Sequence, residues 1–170
     1  MIMKKSILIL GLSLVLLVVF GLDTLAQTPK EGTELTTTSY YVTSKAISLG
    51  EGRAHMTYEA FGVTISDTGE GLFHGATVRV LGGMTIEKGV YNDDKAYGVY
   101  NLPNGDKVFF TTAVAGKLGD IGKGTVTLIG GTGKCAGIQG SYEVTRNSLR
   151  PAIEGIGQSY IKAKIQYKLP

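Results

Sequence analysis

The chain has 170 residues, with 17 Lys or Arg against 14 Asp or Glu, which gives a formal net charge of +3. The basic residues are scattered, and this argues against the clustered basic face of a protein that binds nucleic acid. A single cysteine, Cys135, excludes an internal disulfide, so packing must supply the stability of the fold.

The first 26 residues have the three parts of a secretory signal peptide. Two lysines supply the positive start, residues 7–22 form an uncharged apolar run, and the small residues Thr24 and Ala26 precede a cleavage position at Gln27. The apolar run is slightly shorter than the ~20 residues that span a bilayer, which favours cleavage over a permanent anchor. We therefore expect an exported protein, periplasmic or extracellular. It would contact a membrane only if the signal segment remained uncleaved.

A polar segment follows the cleavage position. Residues 27–38 are rich in threonine and contain Pro29 and Gly32, so we expect a flexible leader before the first strand. The remaining residues, 39–170, are numerous enough for one domain with its own hydrophobic core.

From Ser39 on, short segments with an apolar residue at every second position indicate β-strands. The clearest is the last, in which five apolar residues from Ile161 to Leu169 alternate with lysines and a glutamine. The predicted strands cover residues 39–46, 54–66, 72–81, 85–91, 97–101, 107–114, 125–129, 141–146 and 161–169. No helix is predicted beyond the signal peptide.

Turn signals and irregularities separate these segments. The alternation slips near Phe61–Gly62, which predicts a bulge or a strong bend, and Gly82–Gly83 predicts a break in the chain. The segment Asn92–Lys95 is expected to be a polar turn. Residues 102–106 contain Asn104–Gly105, a strong hairpin signal because both residue types tolerate positive φ.

The densest group of glycines lies between two predicted strands, at residues 130–140. A Walker loop would need Ser or Thr after Gly133 and Lys134, and Cys135 stands there. A dinucleotide-binding turn would need a third glycine where Ala136 stands, and then a helix, whereas the next residues alternate like a strand. We therefore predict a structural corner whose glycines adopt positive φ, and no nucleotide binding.

The predicted fold class is all-β. The 25 glycines and the eight or nine short strands are typical of a sandwich or a barrel. Closing the sheet removes its exposed edges, which favours the barrel. The interior of a barrel of about eight strands can be filled by side chains or can hold one small ligand. We therefore predict an eight-stranded antiparallel β-barrel.

Three stretches, Gly105–Phe110, Gly122–Gly140 and the final Tyr167–Pro170, resemble a group of bacterial exported proteins of unknown function. That group is similar to the allene oxide cyclase and dirigent barrels, which share a G-G-T-G-[KR]-[FY]-x-G-[AI]-x-G turn near the end of a calycin-type barrel. Cys135 stands where that turn usually has an aromatic residue. The resemblance implies the same eight-stranded antiparallel fold over about 39–170. It also implies a cavity that acts on or steers small apolar molecules, but it assigns no catalytic residue.

Candidate ligand-binding residues are aromatic or titratable side chains that alternation places on strands. His74 is in phase with Ala76 and Val78, so it is expected to point inward near one end of the barrel. With His55 it is one of only two histidines, and no further ligands stand at metal-site spacing, so no metal or cofactor is expected. The tyrosines expected to line a cavity are Tyr58, Tyr97, Tyr100 and Tyr142.

Two functions remain open at the level of the sequence. The favoured hypothesis is a non-catalytic barrel that binds a small apolar or aromatic molecule, or a protein partner. The alternative is a cofactor-free isomerase or cyclase that acts by confining its substrate in the cavity. Binding is favoured because the sequence displays no Ser-His-Asp, Cys-His or paired-carboxylate arrangement. A carboxylate or histidine beside cavity tyrosines would favour the enzyme, and the sequence leaves a homo-oligomer open.

Overall fold

The computed structural model describes residues 30–170, which fold as a closed antiparallel barrel. Its eight strands are β1 (Glu31–Gly50), β2 (Arg53–Ser66), β3 (Ala76–Glu87), β4 (Val90–Asn101), β5 (Lys107–Lys117), β6 (Gly122–Gly131), β7 (Gly140–Leu149) and β8 (Gly157–Lys168). Each strand pairs with its sequence neighbours, and β8 pairs with β1. The predicted all-β, eight-stranded antiparallel barrel is confirmed. The predicted signal peptide lies outside the described residues, and within 30–170 no helix has the length and apolar character to cross a membrane.

The barrel begins earlier than the sequence indicated. β1 starts at Glu31, so most of the segment predicted as a flexible leader is a strand hydrogen-bonded to β8. Thr36 and Thr38 point inward and are buried, and the Thr38 hydroxyl lies 2.8 Å from the Thr64 hydroxyl of β2. Threonine is β-branched and suits strands, and the pairing with Thr64 offsets the cost of burying the Thr38 hydroxyl.

Two predicted interruptions lie inside strands. Gly82 and Gly83 belong to β3, where a Cβ atom at Gly82 would come within 2.6 Å of the Tyr58 ring and the Ala96 side chain. Gly82 thus makes room for these two side chains, and neither glycine ends the strand, although the pairing with β4 shifts between Gly83 and Glu87. The predicted polar turn Asn92–Lys95 belongs to β4, where the pairing with β5 shifts between Tyr91 and Asp94.

The bulge predicted at Phe61–Gly62 is also wrong, because β2 keeps its register with both neighbours there. The sequence pattern suggested an irregularity because this part of β2 has apolar residues on its outer face and polar residues on its inner face. Val63 and Ile65 are exposed on the outer surface, whereas Thr64 is fully buried.

The barrel has two unlike ends. The mouth end is formed by the connections 51–52, 88–89, 118–121 and 150–156. The closed end is formed by the connections 67–75, 102–106 and 132–139. The side chains of Phe73 and Ile138 fill the closed end of the barrel and are almost fully buried. The Glu34 carboxylate fixes the first of these loops, because it accepts hydrogen bonds from the backbone N–H groups of Leu72 (2.7 Å) and Phe73 (3.1 Å). Burial, followed by the nearby Glu34 charge, raises the pKa of Tyr167 at this end to about 12.

The glycine corner lies at the closed end, where it joins β6 to β7 through a short 3-10 helix, Gly133–Cys135. Gly133 and Gly137 have φ values of 53° and 83°, and a Cβ atom at Gly133 would overlap the Asp106 carboxylate. Cys135 is fully buried beneath the corner, and burial, with a smaller contribution from Asp106, raises the pKa of its thiol. The corner therefore has the backbone geometry expected of a structural turn.

We expect Gly133→Ala to destabilise the barrel by more than the ~0.4–1 kcal/mol of an ordinary glycine substitution, because its φ and the Asp106 contact both oppose a side chain. Lys134→Ala serves as the control, since an exposed lysine contributes within about 0.5 kcal/mol. Thermal unfolding with and without nucleotide checks both statements. A nucleotide-induced rise in Tm that disappears in Lys134→Ala would contradict the structural interpretation of the corner.

Candidate functional site

A cavity of about 260 Å³ occupies the mouth half of the barrel. Its rim includes Leu118 and Gly119 of the β5–β6 connection and Ser148 at the end of β7. Most of its wall is apolar, and the contributing side chains include Val80, Met84, Phe110, Val126, Val144 and Ile161. An apolar cavity with a few polar groups is the usual form of a small-molecule site.

Two charged side chains line this cavity, the exposed Lys117 at its rim and the more buried Arg146 on β7. Arg146 Nη1 donates a hydrogen bond to Asp94 Oδ2 (2.9 Å), and Nη2 donates to the Tyr91 hydroxyl (2.5 Å). The Tyr58 hydroxyl donates to the other oxygen of Asp94, Oδ1 (2.7 Å). Arg146, Tyr58 and Tyr91 line the cavity, whereas Asp94 lies behind them with no exposed surface. The four side chains form the polar cluster of the site.

The strand pattern positions this cluster. Arg146 follows the inward-facing Val144 by two residues, so alternation turns its side chain toward the interior. The shift in pairing within β4 lets Tyr91 and Asp94 both face inward, although three positions separate them. Gly122, opposite Arg146 on β6, leaves space for the Tyr91 hydroxyl, which would lie 2.6 Å from a Cβ atom there.

The cluster keeps a positive charge in an apolar setting. Burial lowers the pKa of Arg146, but Asp94 and Tyr91 raise it by more, so the pKa lies above its ordinary value and the guanidinium stays charged. Burial, followed by the Asp94 charge, raises the pKa of Tyr58, which therefore remains a neutral hydrogen-bond donor. The guanidinium also lies over the Tyr91 ring, 5.2 Å from its centroid.

The guanidinium can still serve a ligand. It has five N–H donors, and its bonds to Asp94 and Tyr91 do not use all of them. One fifth of its side-chain surface is exposed, on the side that faces the cavity. Arg146 can therefore donate hydrogen bonds to the polar end of a molecule whose apolar part lies deeper in the barrel.

A second polar pair lies deeper in the cavity. The hydroxyls of Tyr100 and Tyr142 are 3.2 Å apart, and the buried Tyr40 also lines this region. Burial is the main cause that raises the pKa of all three tyrosines, so their hydroxyls are neutral at physiological pH. These groups offer hydrogen bonds and no charge.

Three of the five predicted ligand-binding residues are brought together. Tyr58, Tyr100 and Tyr142 line the cavity, as alternation predicted. The placement of Tyr97 is wrong, because it lies on the outer surface with 70% of its area exposed. His74 does lie at one end of the barrel, but its placement in the cavity is wrong. It lies in the β2–β3 loop at the closed end, where its Nδ1 accepts a hydrogen bond from the Ser66 N–H (3.3 Å).

Sequence reasoning missed Tyr91, Asp94 and Arg146. Arg146 could have been identified from the sequence. It lies an even number of positions after the inward-facing Tyr142 and Val144 on β7, so its side chain points to the same side of the strand. Tyr91 lies beside, and Asp94 within, the segment Asn92–Lys95 that the sequence predicted to be a polar turn. Among residues 30–170, no group of three or more His, Cys, Asp or Glu side chains is arranged to hold a metal ion.

No protein-family model matches the chain, and no curated protein does. One solved structure with a similar fold is that of a pterocarpan synthase dirigent protein. The two chains are 9% identical, the comparison covers 87% of this chain and 97% of the other, and the TM-score is 0.39. At this TM-score the likeness does not bear on the function.

Proposed function

We propose that the protein is an exported binding protein that holds a small molecule in its barrel cavity. The ligand would have an apolar or aromatic body and one hydrogen-bond-accepting or anionic head. The observation that carries this proposal is the charged, largely buried guanidinium of Arg146 at the mouth of a mostly apolar cavity. A head group at Arg146 would gain a charge-assisted hydrogen bond, which is stronger than a neutral one.

The size of the cavity limits the ligand. A volume of about 260 Å³ lies slightly below the ~300–1,000 Å³ range of small-molecule pockets. One or two rings, or an aliphatic chain of moderate length, would fill it. Met56 and Met84 in the wall have flexible side chains that can adapt to the shape of the ligand.

Binding is favoured over catalysis by the state of the polar cluster. Both oxygens of Asp94 accept hydrogen bonds, and the carboxylate is sealed from the cavity, so it is not available as a general base. The raised pKa of Tyr58 makes that phenol a poor proton donor near neutral pH. The cluster is thus better suited to orient a head group than to transfer a proton.

A cofactor-free isomerase or cyclase remains the second candidate, because a carboxylate does lie beside cavity tyrosines. In this alternative Arg146 and Tyr91 would stabilise negative charge that develops on a substrate oxygen, and the apolar wall would confine the substrate. The two candidates can be distinguished with a small molecule that copurifies with the protein. The molecule is identified by mass spectrometry and then incubated with fresh protein. Recovery of a different isomer would establish the enzyme, and recovery of the same molecule would support binding.

We also propose that the chain belongs with the exported barrels similar to the allene oxide cyclase and dirigent proteins. The support is the glycine motif of residues 130–140, which here joins the sixth and seventh strands of an eight-stranded antiparallel barrel. Such a fold hosts many activities, so membership alone would not decide between the two candidates.

We expect 2-naphthoate to bind more tightly than the neutral 2-naphthalenemethanol by roughly tenfold, since an ionised acceptor makes a shorter and about twice as strong hydrogen bond to the guanidinium as a neutral oxygen does. The double variant Asp94→Asn/Arg146→Gln removes both charges and should bind the two probes equally. The control Glu59→Gln/Arg79→Gln removes the ion pair on the outer surface and should keep the preference. Isothermal titration gives the affinities.

Two results would count against the proposal. If neither probe shows saturable binding to the parent protein, the cavity does not take ligands of this class. If the cavity double variant keeps the preference for the carboxylate, the head group does not bind at Arg146.

A further inference from the structure

The inner end of the cavity is closed by two tyrosines from strands that are not neighbours in the sheet. Tyr100 lies on β4 and Tyr142 on β7, and their hydroxyls meet across the barrel interior, 3.2 Å apart. Both side chains line the cavity, whereas Phe73 and Ile138, which fill the closed end of the barrel, do not. The two tyrosines therefore form the floor of the cavity, and we call them the floor pair.

Aromatic packing fixes the position of the floor pair. The Tyr100 ring contacts the Phe73 ring edge-on, with 5.1 Å between their centroids, and lies 4.7 Å from the centroid of the Phe110 ring. Both tyrosines are buried, with 4% of Tyr100 and 6% of Tyr142 exposed. Close-packed rings of this kind cannot move far without disturbing the core. The two hydroxyls are thus in place before a ligand arrives, which lowers the entropic cost of binding.

A count of hydrogens shows that the floor pair has one donor left over. Each hydroxyl carries one hydrogen, and the bond between the two hydroxyls uses only one of them. Within residues 30–170, neither hydroxyl has a hydrogen-bond partner other than the hydroxyl of the other tyrosine. The second hydrogen therefore points to a hydrogen-bond acceptor that comes from outside the chain.

The wall between the floor pair and the polar cluster is apolar. On β7 the residues that line the cavity are Tyr142, Val144 and Arg146, in that order. Tyr142 and Arg146 are four positions apart on an extended strand, which separates their Cα atoms by about 13 Å. The cavity thus has hydrogen-bonding groups at both ends and an apolar stretch between them.

We propose that the floor pair is a second recognition site within the cavity, which binds a hydroxyl or carbonyl oxygen at the end of the ligand opposite its head. Because the head is placed at Arg146, this proposal rests on the proposed function. It adds a requirement for the ligand, which must have a polar group at each end of its apolar body. A wholly apolar tail would leave the second hydrogen of the floor pair buried without an acceptor, which is unfavourable.

The first test uses the parent protein and two carboxylate probes that differ only at the end away from the carboxylate. 6-Hydroxy-2-naphthoate and 6-methyl-2-naphthoate have nearly the same shape, but only the first has an oxygen at that end. We expect the hydroxyl probe to bind more tightly by roughly fivefold, because a net hydrogen bond between neutral groups contributes a change of this order. A floor without a free partner would reverse the order, since a methyl group loses less than a hydroxyl when it leaves water. Isothermal titration gives both affinities.

The second test assigns this preference to the floor pair. The floor variant Tyr100→Phe/Tyr142→Phe removes both hydroxyls and keeps the rings, so it should lose the preference for the hydroxyl probe. It should still bind 2-naphthoate more tightly than 2-naphthalenemethanol, because that preference depends on Arg146. The matched control Tyr41→Phe/Tyr97→Phe removes two hydroxyls from the outer surface, where these side chains are 55% and 70% exposed, and should keep both preferences.

Two outcomes would overturn this proposal and leave the proposed function intact. If the parent protein binds the methyl probe at least as tightly as the hydroxyl probe, hydrogen bonds do not hold that end of the ligand. If the floor variant keeps the preference for the hydroxyl probe, the hydroxyl is held elsewhere in the cavity. Absence of saturable binding for every carboxylate probe would instead remove the proposed function, and the second recognition site with it.

Discussion

Alkali is expected to unfold the barrel cooperatively between about pH 10 and 11.5, because five wholly or partly buried tyrosines keep their protons in the folded state. Burial is the largest cause that raises the pKa of Tyr40, Tyr58, Tyr100, Tyr142 and Tyr167 above 10. The unfolded chain therefore loses these protons first, so the stability is intact below pH 10 and falls as the pH rises. At pH 11 the loss is about 1.4 kcal/mol per tyrosine and about 7 kcal/mol in total. That is comparable to the whole stability of a typical domain.

Denaturant unfolding at pH 8 to 11, followed by circular dichroism, measures this dependence. Tyr142→Phe should reduce the loss between pH 8 and 11 by about a fifth, since one of the five ionising groups is gone. Tyr97→Phe should leave the dependence unchanged, because that side chain faces water on the outer surface. A stability that stays constant up to pH 11.5 would show that these hydroxyls are not sealed from solvent.

Arg146→Ala is expected to destabilise the barrel by about 3–5 kcal/mol, because it leaves the Asp94 carboxylate buried without its partner. Arg79→Ala is the matched control. It breaks the ion pair with Glu59 on the outer surface and should change the stability by only about 0–1 kcal/mol. Unfolding in urea at neutral pH gives both values.

A double variant distinguishes the buried charge from simple loss of packing. Asp94→Leu/Arg146→Met replaces the ion pair with apolar side chains and should recover most of the stability that Arg146→Ala loses. If the double variant is as unstable as Arg146→Ala, the loss comes from the packing of the arginine side chain around Tyr91 and not from the unpaired carboxylate.

The sequence correctly predicts the parts of the barrel in which the local residue pattern agrees with the final structure. β8 was placed correctly because its apolar residues from Ile161 to Leu169 alternate without interruption and all face inward. The hairpin between β4 and β5 was placed correctly because Asn104–Gly105 defines its turn. The same alternation placed Tyr100 and Tyr142 in the cavity, since both lie in strands of regular pattern.

The polar cluster could not be predicted from the chain alone, because the residues that make it favourable are far apart in sequence. Asp94 is surrounded by polar residues that resemble a turn, and its burial depends on Arg146, 52 positions later. The polar residues around Asp94 indicate that burying its carboxylate would be costly, but they give no information about a guanidinium that is distant in sequence. His74 was misplaced because the alternation of β3 was extended into the loop before Ala76, where Glu34 holds the backbone instead.

The pairing of β1 with β8 also determines when the protein can fold. One edge of residues 31–42 pairs with residues 157–168, more than a hundred positions later, and contacts so distant form slowly. Until β8 has been synthesised, β1 has one unpaired edge whose N–H and C=O groups can join the strand of another chain. The nascent chain is therefore most exposed to aggregation in this interval. A chaperone that covers β1 during synthesis would protect the protein more effectively than one that acts on its last residues.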